Sequence, residues 1–285
     1  MPEGDTVLVA ARRLHAALAQ ERLLRTDFRV PAYAMHDLSG RVLREVAARG
    51  KHLLLRTADG VTLHTHFGMD GRWDLYRPGR PWRGPDHEVR AVLKTTPWVA
   101  VATRLRVLEI FPTSHETVAL AHLGPDVLGP DWDPDEAVRR LTSDPDRPVG
   151  EALLDQGVMA GPGNVYRSEV CFLRGLDPFA PAGACADPRA LVDLVKRAME
   201  ANRATGRQIT TGDTRRGREQ WVYGRAGQPC RRCGTTILRG GGSPERVVFW
   251  CPSCQPGSPR SNASTGPASA GRTSARGSPR PRSGG

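Results

Sequence analysis

Pro2 and Glu3 follow the initiator methionine in MPEGDTV, and a proline at that position has two uses. As a structural residue it suits the first position of a helix, with Glu3 and Asp5 favourable at the positive end of the helix dipole. As a chemical residue, Pro2 carries a free secondary amine once Met1 is removed. An α-amine has a reference pKa of roughly 7.7–8.0, against roughly 10.4 for lysine, so a sizeable fraction is unprotonated at neutral pH. Such an amine can attack an aldehyde-level sugar carbon to give an iminium, which acts as an electron sink, while Glu3 moves protons. On these residues alone a helix start is the simpler account.

Cys230-Arg-Arg-Cys233 and Cys251-Pro-Ser-Cys254 are separated by 17 residues. Two such pairs can supply four thiolates to one tetrahedral structural Zn²⁺, with the intervening TTIL and RVVFW runs forming a β-hairpin. Two disulfides are the alternative, disfavoured in a cytoplasmic chain. Cys171 lies among apolar residues and reads as a buried thiol. Between 151 and 173, EALLDQ and VYRSEVCFL read as helices joined by GVMAGPGN. Its glycines permit close backbone approach, and Asn164 stands at the second helix's N-terminus, either as an ordinary cap or beside a bound phosphate.

Lys51 is one of only three lysines and precedes the apolar run HLLL, where a solvated strand edge is the bland account. His64 and His66 share one strand face without a third ligand nearby. Met69, in the turn HFGMDGRW, is either a core plug or an apolar wedge for a base stack.

These residues need elements to hold them. Val7, Ala10, Leu14, Ala17 and Leu18 define one face of a helix over 3–20. From 23 to 112, short apolar or alternating runs separated by Gly, Pro and Asp predict antiparallel strands in a sandwich or barrel. Residues 135–204 read as helices, followed by a Gly-, Thr- and Arg-rich loop (205–220) and the cysteine module (221–255). The Ser-, Gly-, Pro- and Arg-rich remainder cannot bury enough apolar surface to fold alone. The expected division is 1–122, 123–220, 221–255 and a disordered basic tail, 256–285.

The net charge is +11, from 41 Lys and Arg against 30 Asp and Glu. Five arginines and no acid lie in 256–285, which leaves +6 for the rest. A polyanionic partner, most commonly nucleic acid, is favoured. No apolar run reaches the roughly 18 residues of a membrane span, and a cytoplasmic protein is expected.

Taken together, MPEGDTV, GKHLLL, LGPDVL, LLDQGVMAGPGNVYRSEVCF, VYGRAGQPCRRCG and ERVVFWCPSCQ are similar, in order and spacing, to the formamidopyrimidine-DNA glycosylase/endonuclease VIII family. MPEG, TTGDTR and WVYGRAGQ resemble its actinobacterial endonuclease VIII branch. The resemblance implies an α+β multidomain chain: an N-terminal helix plus antiparallel β-sandwich, a helix–two-turn–helix domain, and a β-hairpin zinc finger. It implies a monomeric bacterial enzyme of base excision repair, bound to double-stranded DNA carrying oxidised bases or abasic sites at the nucleoid. Excision would favour oxidised pyrimidines and be followed by β,δ-elimination. Pro2 then matches the nucleophile, Glu3 the acid/base residue, Lys51 a lysine contacting phosphate near the lesion, and Asn164 and Arg246 two further phosphate ligands. Met69 stands where a void-filling residue belongs, and the 209–220 loop where the base pocket is covered. Asp5 stands where the family often has a second glutamate. A non-catalytic binder of damaged DNA with the same fold is the alternative; loss of Pro2 or Glu3 would have indicated it, and both are present.

Overall fold

The computed structural model describes residues 2–241 and 247–257. Arg246 and the tail from 258 onward lie outside the described residues.

Helix α1 (Gly4–Leu18) buries Val7, Ala11, Leu14 and Leu18, the spacing of one helical face. It starts one residue later than the sequence suggests. Glu3 is the N-cap, with extended backbone (φ −116°, ψ −177°), so Pro2 stands before the helix rather than in its first turn.

Eight strands follow: β1 (Arg25–Phe28), β2 (Leu43–Arg49), β3 (His52–Thr57), β4 (Val61–His66), β5 (Arg72–Tyr76), β6 (Val89–Lys94), β7 (Val99–Thr103) and β8 (Val107–Pro112). They form two antiparallel four-stranded sheets, ordered β1-β6-β7-β5 and β2-β3-β4-β8. One apolar core joins the two sheets and α1, with Leu53, Leu55 and Leu63 from one sheet and Ala91, Leu93 and Ala102 from the other. The run Leu53-Leu54-Leu55 is apolar throughout because β3 is covered on both faces. Leu53 and Leu55 enter the sandwich core, while Leu54 packs outward on Leu120, Leu123 and Ala160.

The second half is helical: α2 (Glu116–Ala119), α3 (Pro134–Leu141), α4 (Val149–Ala152), α5 (Asn164–Leu173) and α6 (Pro188–Asn202). Asp133 and Asp187 cap α3 and α6, each with proline in the first turn, as their side-chain oxygens demand. EALLDQ supplies only the last two residues of the four-residue α4 and a turn, since Gly157 and the bonds to Asp155 and Gln156 end the helix early. A β-hairpin of β9 (Leu238–Gly240) and β10 (Val248–Trp250) closes the chain over Phe172, Val222 and Ile237.

Asp126, in LGPDVL, joins the two halves. Its carboxylate, only 4% exposed, accepts the Gly50 N–H (2.9 Å) and the Leu128 N–H (3.0 Å). Backbone bonds to Ala160 on both sides hold the aspartate's own segment (Val127 N–H to Ala160 O, Ala160 N–H to Pro125 O). The β2–β3 turn is therefore fastened to the helical half. Asp126→Ala should cost about 2–4 kcal/mol, since bonds to a buried charge are worth more than neutral ones. Thermal unfolding and loss of hydrogen-exchange protection at the Gly50 and Leu128 amides would measure it.

Candidate active site

A cleft of about 980 Å³ opens between the sandwich and the helical half, lined among others by Pro2, Lys51, His66, Met69, Asn164 and Arg167. Residues spread over more than 160 positions of sequence thus share one wall.

Glu3 follows Pro2 in the chain and is fully buried. Its Oε2 accepts the Gly163 N–H at 2.6 Å and its Oε1 the Val165 N–H at 2.8 Å. Next to it the Gly4 N–H donates to Gly161 O at 2.9 Å. The first turn of α5 exposes unpaired amides, and Gly163, its N-cap, has no side chain to satisfy them. Glu3 does so from the other end of the chain. Asn164 is therefore not the cap; it is the first helical residue, and its amide donates to Val247 O at 2.8 Å while its Oδ1 accepts from Arg167.

Lys51 is not at a solvated strand edge. It occupies the second position of a two-residue turn between β2 and β3, after Gly50 (φ +55°), and is half-buried. A side chain on Gly50 would meet the Ala160 Cβ at 2.8 Å, so the hairpin tip lies against the Gly-rich turn. Burial pushes the Lys51 pKa down, against the attraction of Glu3. Burial also pushes the Glu3 carboxyl up, against Lys51 and the two α5 amides. Both groups are thereby shifted toward their neutral forms, the condition under which one can donate a proton near neutral pH.

Asp5 is buried as completely as Glu3, and neither side chain is among those that line the cleft. It accepts the Thr6 N–H and the Tyr166 hydroxyl, both at 2.8 Å, and so ties α1 to α5. Burial raises its pKa too. These bonds make Asp5 a link between α1 and α5.

Met69 is 44% exposed on the turn between β4 and β5. Beside it stands Arg106, whose N–H donates to His66 O at 3.0 Å and whose Cβ would lie 2.9 Å from a Cβ on Gly68. Sequence reading missed Arg106, 37 positions downstream, because only the packing of the two turns relates them.

Among the described residues, His64 and His66 do not belong to a cluster of three or more metal-ligating groups. His64 Nδ1 lies 2.9 Å from the Glu109 carboxylate, and its Nε2 lies 2.8 Å from His52 Nδ1. His66 Nδ1 accepts the Gly68 N–H at 3.0 Å, which leaves its other nitrogen to face the cleft as a donor. Burial, with neighbouring imidazoles and Lys51, lowers the His52 pKa to about 3; burial and Lys51 lower that of His66 to about 4. His52 and His66 are therefore neutral imidazoles at physiological pH.

Cys230, Cys233, Cys251 and Cys254 do converge: their sulfurs lie within 4.8 Å of one another, and none is in a disulfide. Pairs at 3.5 Å (Cys233–Cys251) and 4.0 Å (Cys230–Cys254) bracket the about 3.8 Å expected between thiolates on a tetrahedral ion with bonds of about 2.3 Å. The cluster can hold a metal ion. Cys171 is fully buried and its thiol is pushed up to about 12 by burial, as an inert core residue should be.

The 209–220 loop does not contribute to the lining of the cleft. It is held by Glu169, which accepts the Thr210 hydroxyl and the Trp221, Val222 and Tyr223 N–H groups. Glu169 lies two residues beyond Arg167, about 200° around α5, so the loop hangs from a different face of the helix.

Gly163 lies where Glu3 needs empty space. A Cβ there would stand 2.6 Å from the Glu3 Cδ, although the glycine's φ of −134° suits any residue. Gly163→Ala should therefore cost about 1–3 kcal/mol on purely steric grounds. Denaturant unfolding of the variant against the parent is the check.

A model of the formamidopyrimidine-DNA glycosylase N-terminal domain matches residues 1–107, and a model of the helix–two-turn–helix domain of the same glycosylase matches 123–212. A Streptomyces coelicolor protein named "Probable endonuclease 8 2" is 52% identical over 93% of this chain and 98% of its own. The Mycolicibacterium smegmatis "DNA-(apurinic or apyrimidinic site) lyase Nei2" is 51% identical over 90% and 99%. Among solved structures, the Lactococcus lactis formamidopyrimidine-DNA glycosylase bound to DNA with an abasic site has the same fold, with a TM-score of 0.77 at 21% identity over 90% of this chain and 100% of that one. An N-terminal proline followed by a buried glutamate, a fastened lysine turn and two domain matches in sequence order lead to one conclusion: this chain belongs to the formamidopyrimidine-DNA glycosylase family.

Proposed function

We propose that the protein is a bifunctional DNA glycosylase and abasic-site lyase of base excision repair, acting on oxidised bases with a preference for pyrimidines. The observation that carries this reading is Pro2 in the cleft wall, followed in the chain by a fully buried Glu3. Support comes from the smegmatis relative, named an abasic-site lyase, and from the lactococcal glycosylase solved with abasic and oxidised-pyrimidine DNA.

In this reading a damaged nucleotide is extruded into the cleft, at an unstacking cost of a few kcal/mol that a damaged pair reduces. The Pro2 nitrogen bonds to C1′ as the bond from C1′ to the base breaks, and the amine's proton leaves with the base. Glu3, its proton retained by burial, protonates the sugar ring oxygen and the ring opens to the iminium. Loss of a C2′ proton expels the 3′ phosphate, a second elimination expels the 5′ phosphate, and water releases Pro2. Lys51 and Asn164 hold the flanking phosphates, joined by Arg246 from the segment outside the described residues. His66 is a neutral donor on the same wall. Met69, with Arg106 beside it, fills the space the base leaves in the duplex.

The cysteine cluster holds one structural Zn²⁺ in this reading, fastening β9 and β10 against α5. The division of labour is 1–122 for chemistry, 123–220 and 221–255 for DNA, and 256–285 as a basic tail. The protein acts as a monomer in the cytoplasm, on the nucleoid; among the described residues no helix is long and apolar enough to cross a membrane.

Borohydride should trap a covalent complex between the native-start protein and DNA containing an abasic site, with peptide mapping locating the link at Pro2. Protein retaining Met1 should give none. Glu3→Gln should slow base excision by about 100- to 10,000-fold, the range for a lost general acid, and slow cleavage of a preformed abasic site much less. The parent's excision rate should be bell-shaped in pH. It rises as the Pro2 amine loses its proton and falls as Glu3, its pKa raised by burial, loses its own.

Metal analysis should find about one zinc per chain. Cys251→Ala should abolish it and lower the thermal stability, because the module has only a small core of its own.

A further inference from the structure

Five of the six tryptophans serve a core: Trp73 and Trp250 are buried, and Trp98, Trp132 and Trp221 pack against hydrophobic clusters. Trp82 alone is half-exposed and joins none of them. It sits in the first nine residues of the β5–β6 loop, R77-P-G-R-P-W-R-G-P85, which hold three arginines and three prolines; the loop's two acids, Asp86 and Glu88, follow. The Arg80 and Arg83 side chains are exposed and make no hydrogen bond or ion pair among the described residues. The neighbouring acids are already neutralised: Asp27 and Asp86 by Arg29, Asp74 by Arg72, and Glu88 by Arg104. Arg29 also lies over the Trp82 ring at 5.9 Å, and Arg77 over the Trp98 ring at 3.8 Å.

The loop's path connects it to the cleft. It leaves β5 at Tyr76, opposite Val99, and enters β6 at Val89, opposite Thr103, so it spans the length of β7. At its end Glu88 accepts the Arg104 N–H at 2.9 Å and pairs with the Arg104 side chain. Arg106, two residues on, lines the cleft beside Met69. The loop is thus linked, through Glu88 and Arg104, to the turn that carries Arg106 into the cleft wall.

Duplex DNA offers such a surface only phosphates and groove edges. Unpaired bases offer faces that stack on indole and guanidinium planes while arginines meet the backbone. Pro78, Pro81 and Pro85 fix φ and leave little loop entropy to lose on binding. We propose that the 77–85 loop is a docking surface for single-stranded DNA next to the lesion, so that the enzyme engages lesions in unpaired regions better than in continuous duplex. This rests on the glycosylase reading above and names the substrate context of that site.

The test uses full-length protein and fluorescence anisotropy with a tetrahydrofuran abasic analogue placed in a duplex, a bubble and a single strand. Trp82→Ala should weaken binding to the bubble and the single strand at least about fivefold, the lower end of what one base stack contributes, and leave the duplex within about twofold. Trp82→Phe should restore most of the loss. Arg80→Gln with Arg83→Gln should reduce the salt slope on the single strand by about 1.4. Equal losses on all three substrates, or none on any, would overturn the proposal. Borohydride trapping at Pro2 on an abasic duplex, run on parent and variants, separates the two ideas. A parent that fails to trap sinks the lyase reading, whereas variants that trap normally but lose no bubble affinity sink only the loop.

Discussion

The carboxylate of Glu3 accepting the Gly163 and Val165 amides is the interaction on which the rest of the molecule depends. It joins the third residue of the chain to the start of α5, and it substitutes for the cap that Gly163 cannot supply. A helix N-terminus with free amides favours negative charge, while full burial favours the neutral acid. Burial is the larger effect here, so the group that fastens the two halves is also shifted toward holding a proton near Pro2. Structure and chemistry are served by the same two bonds.

Around that contact the chain places further buried acids at its seams. Asp5 joins α1 to Tyr166, Asp126 joins the Lys51 turn to the helical half, and Glu169 joins α5 to the 209–223 segment. Each accepts backbone N–H or hydroxyl donors rather than pairing with a buried cation. A carboxylate has several acceptor sites, so one side chain can gather donors from segments that share no regular structure. The cost is desolvation, visible as an upward pKa shift at all three. Consistently, α5 receives Glu3, Asp5 and the Glu169 loop around its circumference and presents Asn164 and Arg167 to the cleft.

Glycine complements these acids. Gly50, Gly161 and Gly163 meet at the point where hairpin, N-terminus and α5 converge, and a Cβ on Gly50 or Gly163 would strike a neighbour at 2.8 or 2.6 Å. The cleft wall is assembled by backbone approach as much as by side chains. That is why Lys51, on a two-residue turn, is held beside Glu3 and not left at a solvated edge.

Much of this was legible in the sequence. The four cysteines, the strand and helix regions, and the chemical potential of Pro2 and Glu3 follow from residue type, periodicity and turn residues, which are local properties, whereas a role for Lys51 came only with the family resemblance. Motif order then identified the family. Other features were decided only in three dimensions. Asn164 leaves its cap to Glu3; Arg106 joins Met69 in the cleft wall; and the 209–220 loop is drawn to Glu169 on a different face from the cleft. Each of these is a contact between segments far apart in the chain, set by which buried donors and acceptors packing brings together. Local pattern records what a segment can form, and only the packed structure selects its partner.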